Sequence, residues 1–538
     1  MKYIFVTGGV ISSVGKGLTS ASIGALLESR GFRVKLQKFD PYLNVDPGNM
    51  NPLQHGEVYV LKDGGETDLD LGHYERFTNT NLTRKNSLTS GQVYTTVLEK
   101  ERKGAYAGVT VQVIPHVTDE IKARIKENSN DCDVLISEIG GTTGDIEGLP
   151  YLEAIREFAL EQPFGSVIFI HVTLVPYINA MRELKTKPTQ HSVAKLREIG
   201  ITPNIIICRC EHPLNKELRK KISLFCNVPY EAVIEEKDVD HSIYELPLVL
   251  QRENLDTLIC KLLQLEQRPS DMTKWQNVVR SIIAPSSSIR IGLVGKNVGI
   301  NDAHKSLQEA LFHACIANDT RLEVVKIDPE ELETSGTQSL QNIDAILAPG
   351  VSGIHEVEGK ILAAQYAREH QIPFLGICLG MQAVVIEYVR NVLGLKSAHS
   401  LEFNPSTEYP VIIPLENALS TDAQPASHEQ HRQTMHLGAH ACKIKSGTKA
   451  YSIYAQDQIS ERHRNSYVFN GKYLDLFEKE GNLIVSGRST DDSLVELVEL
   501  KNHPFFMACQ FQPEFQSKPH SPNPLFKEFV SAALAAKK

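Results

Sequence analysis

A chain of 538 residues, 41% hydrophobic and 22% charged, holds enough material for roughly two to four domains with sizeable cores. Its formal net charge of −9 gives no electrostatic reason to expect nucleic acid or an anionic membrane surface as partner, so a bound anion must be held by local groups. No run of about 18 apolar residues is present to span a bilayer, and the chain opens on a strand-like stretch, so a cytoplasmic protein without a leader peptide is expected. The nine cysteines are scattered and odd in number, and Cys208 and Cys210 form the one close pair, with no second pair at zinc-site spacing. Reduced core thiols are the expectation, Cys378 excepted.

Residues 2–7 are apolar β-formers, 8–17 (GGVISSVGKG) a glycine loop, and 18–27 a helical pattern. Strand, glycine loop and helix is a setting for phosphate: backbone N–H groups close on the anion, the helix N-terminus adds positive potential, and Lys16 adds a point charge. The spacing departs from the usual phosphate loop, with five residues between Gly9 and Gly15 and with Gly17 where Ser or Thr follows the lysine. A plain strand–helix turn therefore stays open as the alternative. Across 1–266, strand-like runs at 3–7, 33–39, 109–114, 133–138, 166–173 and 203–208 alternate with amphipathic stretches. An α/β fold follows, a doubly wound parallel sheet with polar motifs at the carboxyl ends of its strands.

Those motifs come in order. Residues 38–48 place Lys38 and two aspartates after the second strand, and 63–73 carry four acidic residues among glycines, ordinarily a solvated loop. Glu138 leaves a strand beside the glycine-rich 139–147. With Lys16 and Lys38 present, Asp70 and Glu138 are a candidate pair for Mg²⁺. Residues 185–191 offer two lysines and hydroxyls around a proline, suited to a triphosphate or to a surface turn. A linker with one amphipathic helical stretch is expected at 267–288, and a second sheet begins at 289. Gly376, Cys378 and Gly380, between a strand and a helix, form a nucleophile elbow with Cys in place of Ser. The helix N-terminus would lower the thiol's pKa, whereas a buried structural cysteine is the alternative.

GGVISSVGKG, KFDPYLNVDPG, QHGEVYV, ETDLDLGHYERF, TVQVIPH, EIGGTTGDIE, KTKPTQHS and LFCNVP stand in the order of the cytidine triphosphate synthase family, and the chain resembles it almost end to end. The second half resembles a class I glutamine amidotransferase. The resemblance implies two doubly wound domains, an amidoligase at 1–266 and an amidotransferase at 289–538. It also implies amination of UTP to CTP, through phosphorylation of the pyrimidine O4 by ATP and displacement of phosphate by ammonia. By position, Ser13, Val14, Gly15, Lys16, Gly17, Leu18, Asp70 and Val239 would bind ATP. Lys16 and Lys38 would act on the transferring phosphoryl, and Asp70 and Glu138 would hold Mg²⁺. Ser12, Asp145, Ile146, Glu147, Lys185, Thr186, Lys187, Pro188, Thr189, Gln190 and Lys221 would bind UTP or the feedback inhibitor CTP. Val351, Leu379, Gly380, Met381, Gln382, Glu402 and Ser466 would line the glutamine site. A homotetramer and GTP as an effector are further family traits.

The second half departs from the family where its chemistry lies. The family's triad is Cys, His and Glu; here Cys378 and Glu514 stand, but the histidine position is Gln512. A carboxamide cannot take the thiol proton. Val351 replaces a glycine, Ser466 replaces the arginine that binds glutamine, and Met435-His436-Leu437-Gly438 replaces a Met-Arg-Leu-Gly motif. CTP synthesis from free ammonia with poor glutamine hydrolysis is the leading expectation. A fully glutamine-dependent enzyme and a non-catalytic nucleotide sensor are the competing ones.

Overall fold

The computed structural model describes residues 1–51, 55–296, 304–350, 356–419 and 434–537. They cluster into two compact units, one of Met1–Asn49 with Asp70–Ile283, the other of Met50–Leu69 with Ala284–Lys538.

The first unit carries a seven-stranded sheet in the order Val233–Lys237, Ile205–Cys210, Val167–Leu174, Lys2–Gly8, Val134–Ile139, Val34–Asp40 and Ser87–Thr89. Every neighbouring pair is parallel. Lys2–Gly8 lies at the centre, and Ile4, Phe5 and Val6 are fully buried, as expected of a strand covered on both faces. On one face Tyr3, Phe5, Phe39 and Leu135 pack with Val93, Ile121 and Ile155 from three helices. On the other, Gly24 of the helix Lys16–Ser29 sits against Leu36, which has the opposite strand parity to Phe39.

Five of the six expected strands are present within about two residues at each end, the ordinary spread of such boundaries. The sixth, 109–114, is not a strand. Val109, Val113 and Ile114 are exposed at 61%, 44% and 49%, and the segment runs into the irregular turn Val113–Val117. Among the described residues no strand pairs with the alternating valines there, and Pro115 has no N–H to offer one. The linker's amphipathic stretch is the helix Thr273–Ile283, whose Trp275 packs on Phe77 and Tyr244 within the first unit.

The second unit's nine-stranded sheet runs Thr320–Ile327, Ser287–Val294, Ala345–Ala348, Phe374–Ile377, Phe506–Cys509, Val495–Leu500, Leu483–Ser489, His436–Ile444, Gln458–Asn465. The first five are mutually parallel and the last four add antiparallel pairings. Residues 63–69 are not a solvated loop. Glu66 lies in a short hairpin with Tyr59–Val60 and pairs with Arg464 at 2.8 Å. In the same segment Glu57 accepts from the Ser306 N–H at 2.9 Å, and the Tyr59 hydroxyl donates to the Phe515 carbonyl. All nine cysteines are buried and none is in a disulfide. Among the described residues no helix is long and apolar enough to cross a membrane.

Candidate functional site

The glycine loop curls at the carboxyl end of the central strand, with positive φ at Val10, Ser13 and Gly15. The helix beginning at Lys16 has no side-chain cap, which leaves its first-turn N–H groups available to an anion. The off-pattern Gly17 has a steric cause: a Cβ there would lie 2.0 Å from Asp70 Oδ1. Gly17 therefore admits the Asp70 carboxylate to the loop.

Lys38 Nζ pairs with Asp70 at 2.5 Å and Asp40 at 3.4 Å. Lys16 Nζ donates to the Gly141 carbonyl at 2.6 Å. The Tyr74 hydroxyl donates to Glu138. Burial pushes the Glu138 carboxyl up to about 7, with Asp70 adding to the rise, and burial raises Asp40 as well. For Asp70 burial is outweighed by Lys38 and His73, so its pKa falls. Desolvation lowers Lys16 against the pull of Glu138. The result is two buried carboxylates, Asp40 and Glu138, and a part-buried one, Asp70, interleaved with two lysines; the carboxylate oxygens are hard donors of the type Mg²⁺ takes.

A cavity of about 310 Å³ opens beside the loop between Gly15, Leu18, Arg209, Asp238, Val239 and Ile243. It is of a size to take a nucleotide's base end. Arg209 donates to the Val14 carbonyl at 3.2 Å, and Thr19 donates to Glu236 at 2.8 Å. Ser13, Val14, Gly15, Lys16, Gly17, Leu18, Asp70 and Val239 thus converge. Asp40, one of the two aspartates after the second strand, joins them, and so do Arg209 and Glu236 near strand ends and Tyr74 on the helix Leu69–Phe77, these three without a sequence signal.

The other nucleotide segments border the same loop. A Cβ on Gly9 would strike Ser192, and one on Gly144 would meet Lys195, both in the helix Lys187–Glu198. Asp145 accepts from the Thr142 N–H at 3.0 Å. Thr189 bonds Thr173 at 3.1 Å and Gln190 donates to Thr186 at 3.0 Å. Lys185 pairs with Glu183. Ser12, Ile146, Glu147, Lys187 and Lys221 are exposed, and Pro188 opens the helix. Behind the loop, His171 holds Thr7 and Ser192 at 2.8 Å each, and burial drives its pKa down to about 3. It is a neutral scaffold.

In the second unit Cys378 sits at φ 52°, ψ −103°, between the strand Phe374–Ile377 and the helix Leu379–Asn391. This is the strained corner of a nucleophile elbow. Burial pushes the thiol up to about 12; Glu514 and Glu402 add to the rise, while the Leu379 N–H and Lys360 oppose it only in part. The Gln510 amide donates to Cys378 Sγ at 3.6 Å, a neighbour that sequence reasoning missed. Gln512 turns its amide to the Arg464 carbonyl at 3.1 Å, and its Oε1 has no partner among the described residues. Glu514 is driven up to about 8 by burial, with Glu57 and Glu461 adding to it. Its Oε2 is likewise without a partner among the described residues.

His503 cannot serve as base, because its ring is engaged by the Ala367 carbonyl and the Phe505 N–H. Glu402 is raised to about 7 by burial. Gln382 donates to the Tyr467 carbonyl at 3.3 Å, Gly380 and Met381 lie in the helix's first turn, and Ser466 is half-buried. Val351 falls outside the described residues.

Two family models match the chain: CTP synthase N-terminus over residues 2–265 and glutamine amidotransferase class-I over 300–532. The chain is similar to the CTP synthase of Caldanaerobacter subterraneus subsp. tengcongensis, 52% identical over 539 residues, covering 100% of this chain and 99% of that one. It is also similar to the CTP synthases of Geobacter sulfurreducens (53% over 538 residues, 100% and 99%) and Hydrogenobaculum sp. (54% over 537 residues, 100% and 98%). Among solved structures, the glutaminase domain of Trypanosoma brucei CTPS with bound acivicin aligns at 34% identity and a TM-score of 0.42. That alignment covers 46% of this chain and 94% of that one.

Proposed function

The chain belongs to the CTP synthase family, and from that premise we propose that it aminates UTP with free ammonia while its own glutaminase centre is disabled. The observation that carries the second half of this reading is the Cys378 environment: Gln512 stands where the family has its histidine, and burial drives the thiol up to about 12 and the Glu514 carboxyl up to about 8. A neutral thiol is a poor nucleophile, and a neutral Glu514 has no imidazolium to orient.

In the first unit, the loop's N–H groups and Lys16 would hold the ATP phosphates, and Gly15, Leu18 and Val239 would face the base. Lys16 and Lys38 would stabilise charge on the γ-phosphoryl as the pyrimidine O4 attacks phosphorus and ADP leaves. Ammonia would then add at C4, and O4 would depart with orthophosphate. The buried surplus of carboxylate oxygen fits Mg²⁺ held by Asp70 and Glu138, and when bound that ion neutralises phosphate charge. Ser12, Asp145 to Glu147, Lys185 to Gln190 and Lys221 would take UTP, or CTP as inhibitor. Several are exposed on one chain, and large apolar side chains stand in solvent at Val109, Val113, Ile114 and Phe164. Both features support a homotetramer with nucleotide sites completed by neighbouring copies. Cytoplasmic location, the 1–266 and 289–538 division and GTP as an effector belong to the same reading, the last with little left to activate.

One observation favours a second reading, in which glutamine is still used. Lys360 is fully buried, pairs with Glu356 at 3.0 Å, has its pKa lowered by burial, and interacts electrostatically with Cys378. A desolvated lysine is a possible proton acceptor. The deciding experiment compares CTP formation with ammonium and with glutamine at matched pH. Robust ammonium-dependent and weak glutamine-dependent turnover is expected. Efficient turnover with glutamine, abolished by Cys378→Ala, would overturn the disabled-glutaminase reading, and loss of that turnover in Lys360→Met would establish the second one. No CTP from ATP, UTP, Mg²⁺ and high ammonium would instead mark a nucleotide sensor.

A further inference from the structure

Away from the Cys378 elbow, the second unit gathers metal-ligating side chains on three strands, among them His436 of the altered Met435–Gly438 motif. His436 begins the strand His436–Ile444, His463 lies in Gln458–Asn465, and Glu496 lies in Val495–Leu500. One ligand atom from each falls within 4.8 Å of the others. Two strands separate Gln458–Asn465 from Val495–Leu500 in the sheet order, so the sheet curls here to bring His463 Nε2 to 2.8 Å from Glu496 Oε2. The His463 and Glu496 side chains are 1% and 2% exposed.

The hydrogen bonding presents lone pairs to one another. His463 Nδ1 lies 3.2 Å from the Glu461 carbonyl, which can only accept, so Nδ1 carries a proton. A neutral ring then aims its Nε2 lone pair at the Glu496 carboxylate. His436 Nδ1 is buried and has no hydrogen-bond partner among the described residues. A third imidazole, His440, lies with its ring centroid 3.8 Å from that of His436, and its Nε2 is held by the Leu437 carbonyl at 3.0 Å. A proton on His463 Nε2 would satisfy the Glu496 contact alone. A cation would satisfy that contact and His436 together.

We propose that His436, His463 and Glu496, with His440 beside them, form a site for a borderline divalent transition ion, Zn²⁺ by its ligand chemistry. Two imidazoles and a carboxylate suit Zn²⁺ rather than Mg²⁺. The Glu461 carbonyl supplies the outer hydrogen bond that orients a histidine ligand. Ligands on a tetrahedral ion stand roughly 3.4 Å apart, so a pair at the 4.8 Å limit closes by about 1.4 Å through side-chain rotation. The ion would tie the curled end of the sheet, including the strand whose Arg464 carbonyl holds Gln512.

The test uses the untagged full chain, stripped with a chelator and kept in excess Mg²⁺ so that hard-oxygen sites are filled. Zn²⁺ is titrated against a chromophoric competitor, and Co²⁺ is added in parallel to read its visible absorption. One equivalent per chain is expected, with the band intensity of a four-coordinate site and a raised unfolding midpoint. His436→Asn and Glu496→Gln should each weaken uptake by at least about tenfold and remove the midpoint shift. His436 is only half-buried, so that variant decides if Glu496→Gln does not fold. Sub-stoichiometric uptake, or uptake equal in parent and His436→Asn, would overturn the site and leave a His463–Glu496 ion pair.

Discussion

Gln512→His asks whether one missing base silences Cys378. Gln512 is 7% exposed and its Oε1 is without a partner among the described residues, so an imidazole of similar size can occupy the position beside Glu514. With the thiol near 12, the thiolate fraction at pH 7.5 is about 3 in 10⁵, against about 1 in 10 for a free cysteine. A more basic thiolate is intrinsically more nucleophilic, which returns between one and two powers of ten. Alkylation of Cys378 by iodoacetamide, followed peptide by peptide, should therefore run about a hundredfold slower than that of a free thiol. An imidazole that lowers the thiol to about 7 raises the thiolate fraction by more than four powers of ten and surrenders about two in nucleophilicity, a net gain near a hundredfold. Glutamate release from glutamine should rise by about 10²–10⁴ in kcat, with KM still high because Ser466 offers glutamine no cation. Free-thiol reactivity of Cys378 in the parent chain, or no change of either rate in Gln512→His, would refute the reasoning.

With Lys16 at the transferring phosphoryl as proposed, Lys16→Met should lower ammonium-dependent kcat by about 10²–10³; a loss confined to the KM for UTP would move Lys16 to the other nucleotide. His171 folds neutral, its pKa about 3 against 6.5 unfolded, so below pH 6.5 the unfolded chain binds a proton the folded one does not. Stability should fall by roughly 4–5 kcal/mol as pH drops from 6.5 to 3, and a His171→Gln variant should show a flatter profile in urea unfolding; parallel profiles would assign the acid sensitivity elsewhere. Asp256→Ala strands Arg30, its partner at 2.8 Å with 9% and 3% side-chain exposure, and should cost about 3 kcal/mol or more in the same assay. A cost under about 1 kcal/mol would mean that the Arg30 bonds to Thr257 and the Arg268 carbonyl suffice.

The sheet of the first unit was legible because its strands are covered on both faces and read as unbroken apolar runs such as Ile4 to Val6. The same signal misled at 109–114, where Val109 and Val113 are exposed and apolar pattern alone cannot say what covers a residue. The glycine loop between strand and helix was legible by motif, yet the reason for Gly17 was not, since Asp70 meets it from a distant part of the chain. Tyr74 and Arg209 escaped notice for a related reason: their places beside the loop come from which helix and strand ends the topology sets side by side. The acidic run at 63–73 looked solvated because charge was read without its partner, Arg464, about 400 residues away.

The elbow around Cys378 shows why an intact motif is weak testimony to chemistry. A Cβ on Gly376 would fall 2.8 Å from the Gly380 carbonyl oxygen, and one on Gly380 would fall 2.1 Å from that of Ala348. Both are backbone obstacles, so these glycines are required by the close passage of strand, turn and helix whether or not the sulfur reacts. The strained φ of Cys378 is held by the same packing, with its N–H donating to the Cys509 carbonyl at 2.7 Å. Residue 512 carries no such burden, because its backbone N–H bonds the Arg462 carbonyl with any side chain attached. Packing thus preserves the frame of the nucleophile and is indifferent to its base. On the proposed reading the activity of this site turns on Gln512, Ser466 and the state of the thiol, and the glycines that first draw attention to it report only on the fold.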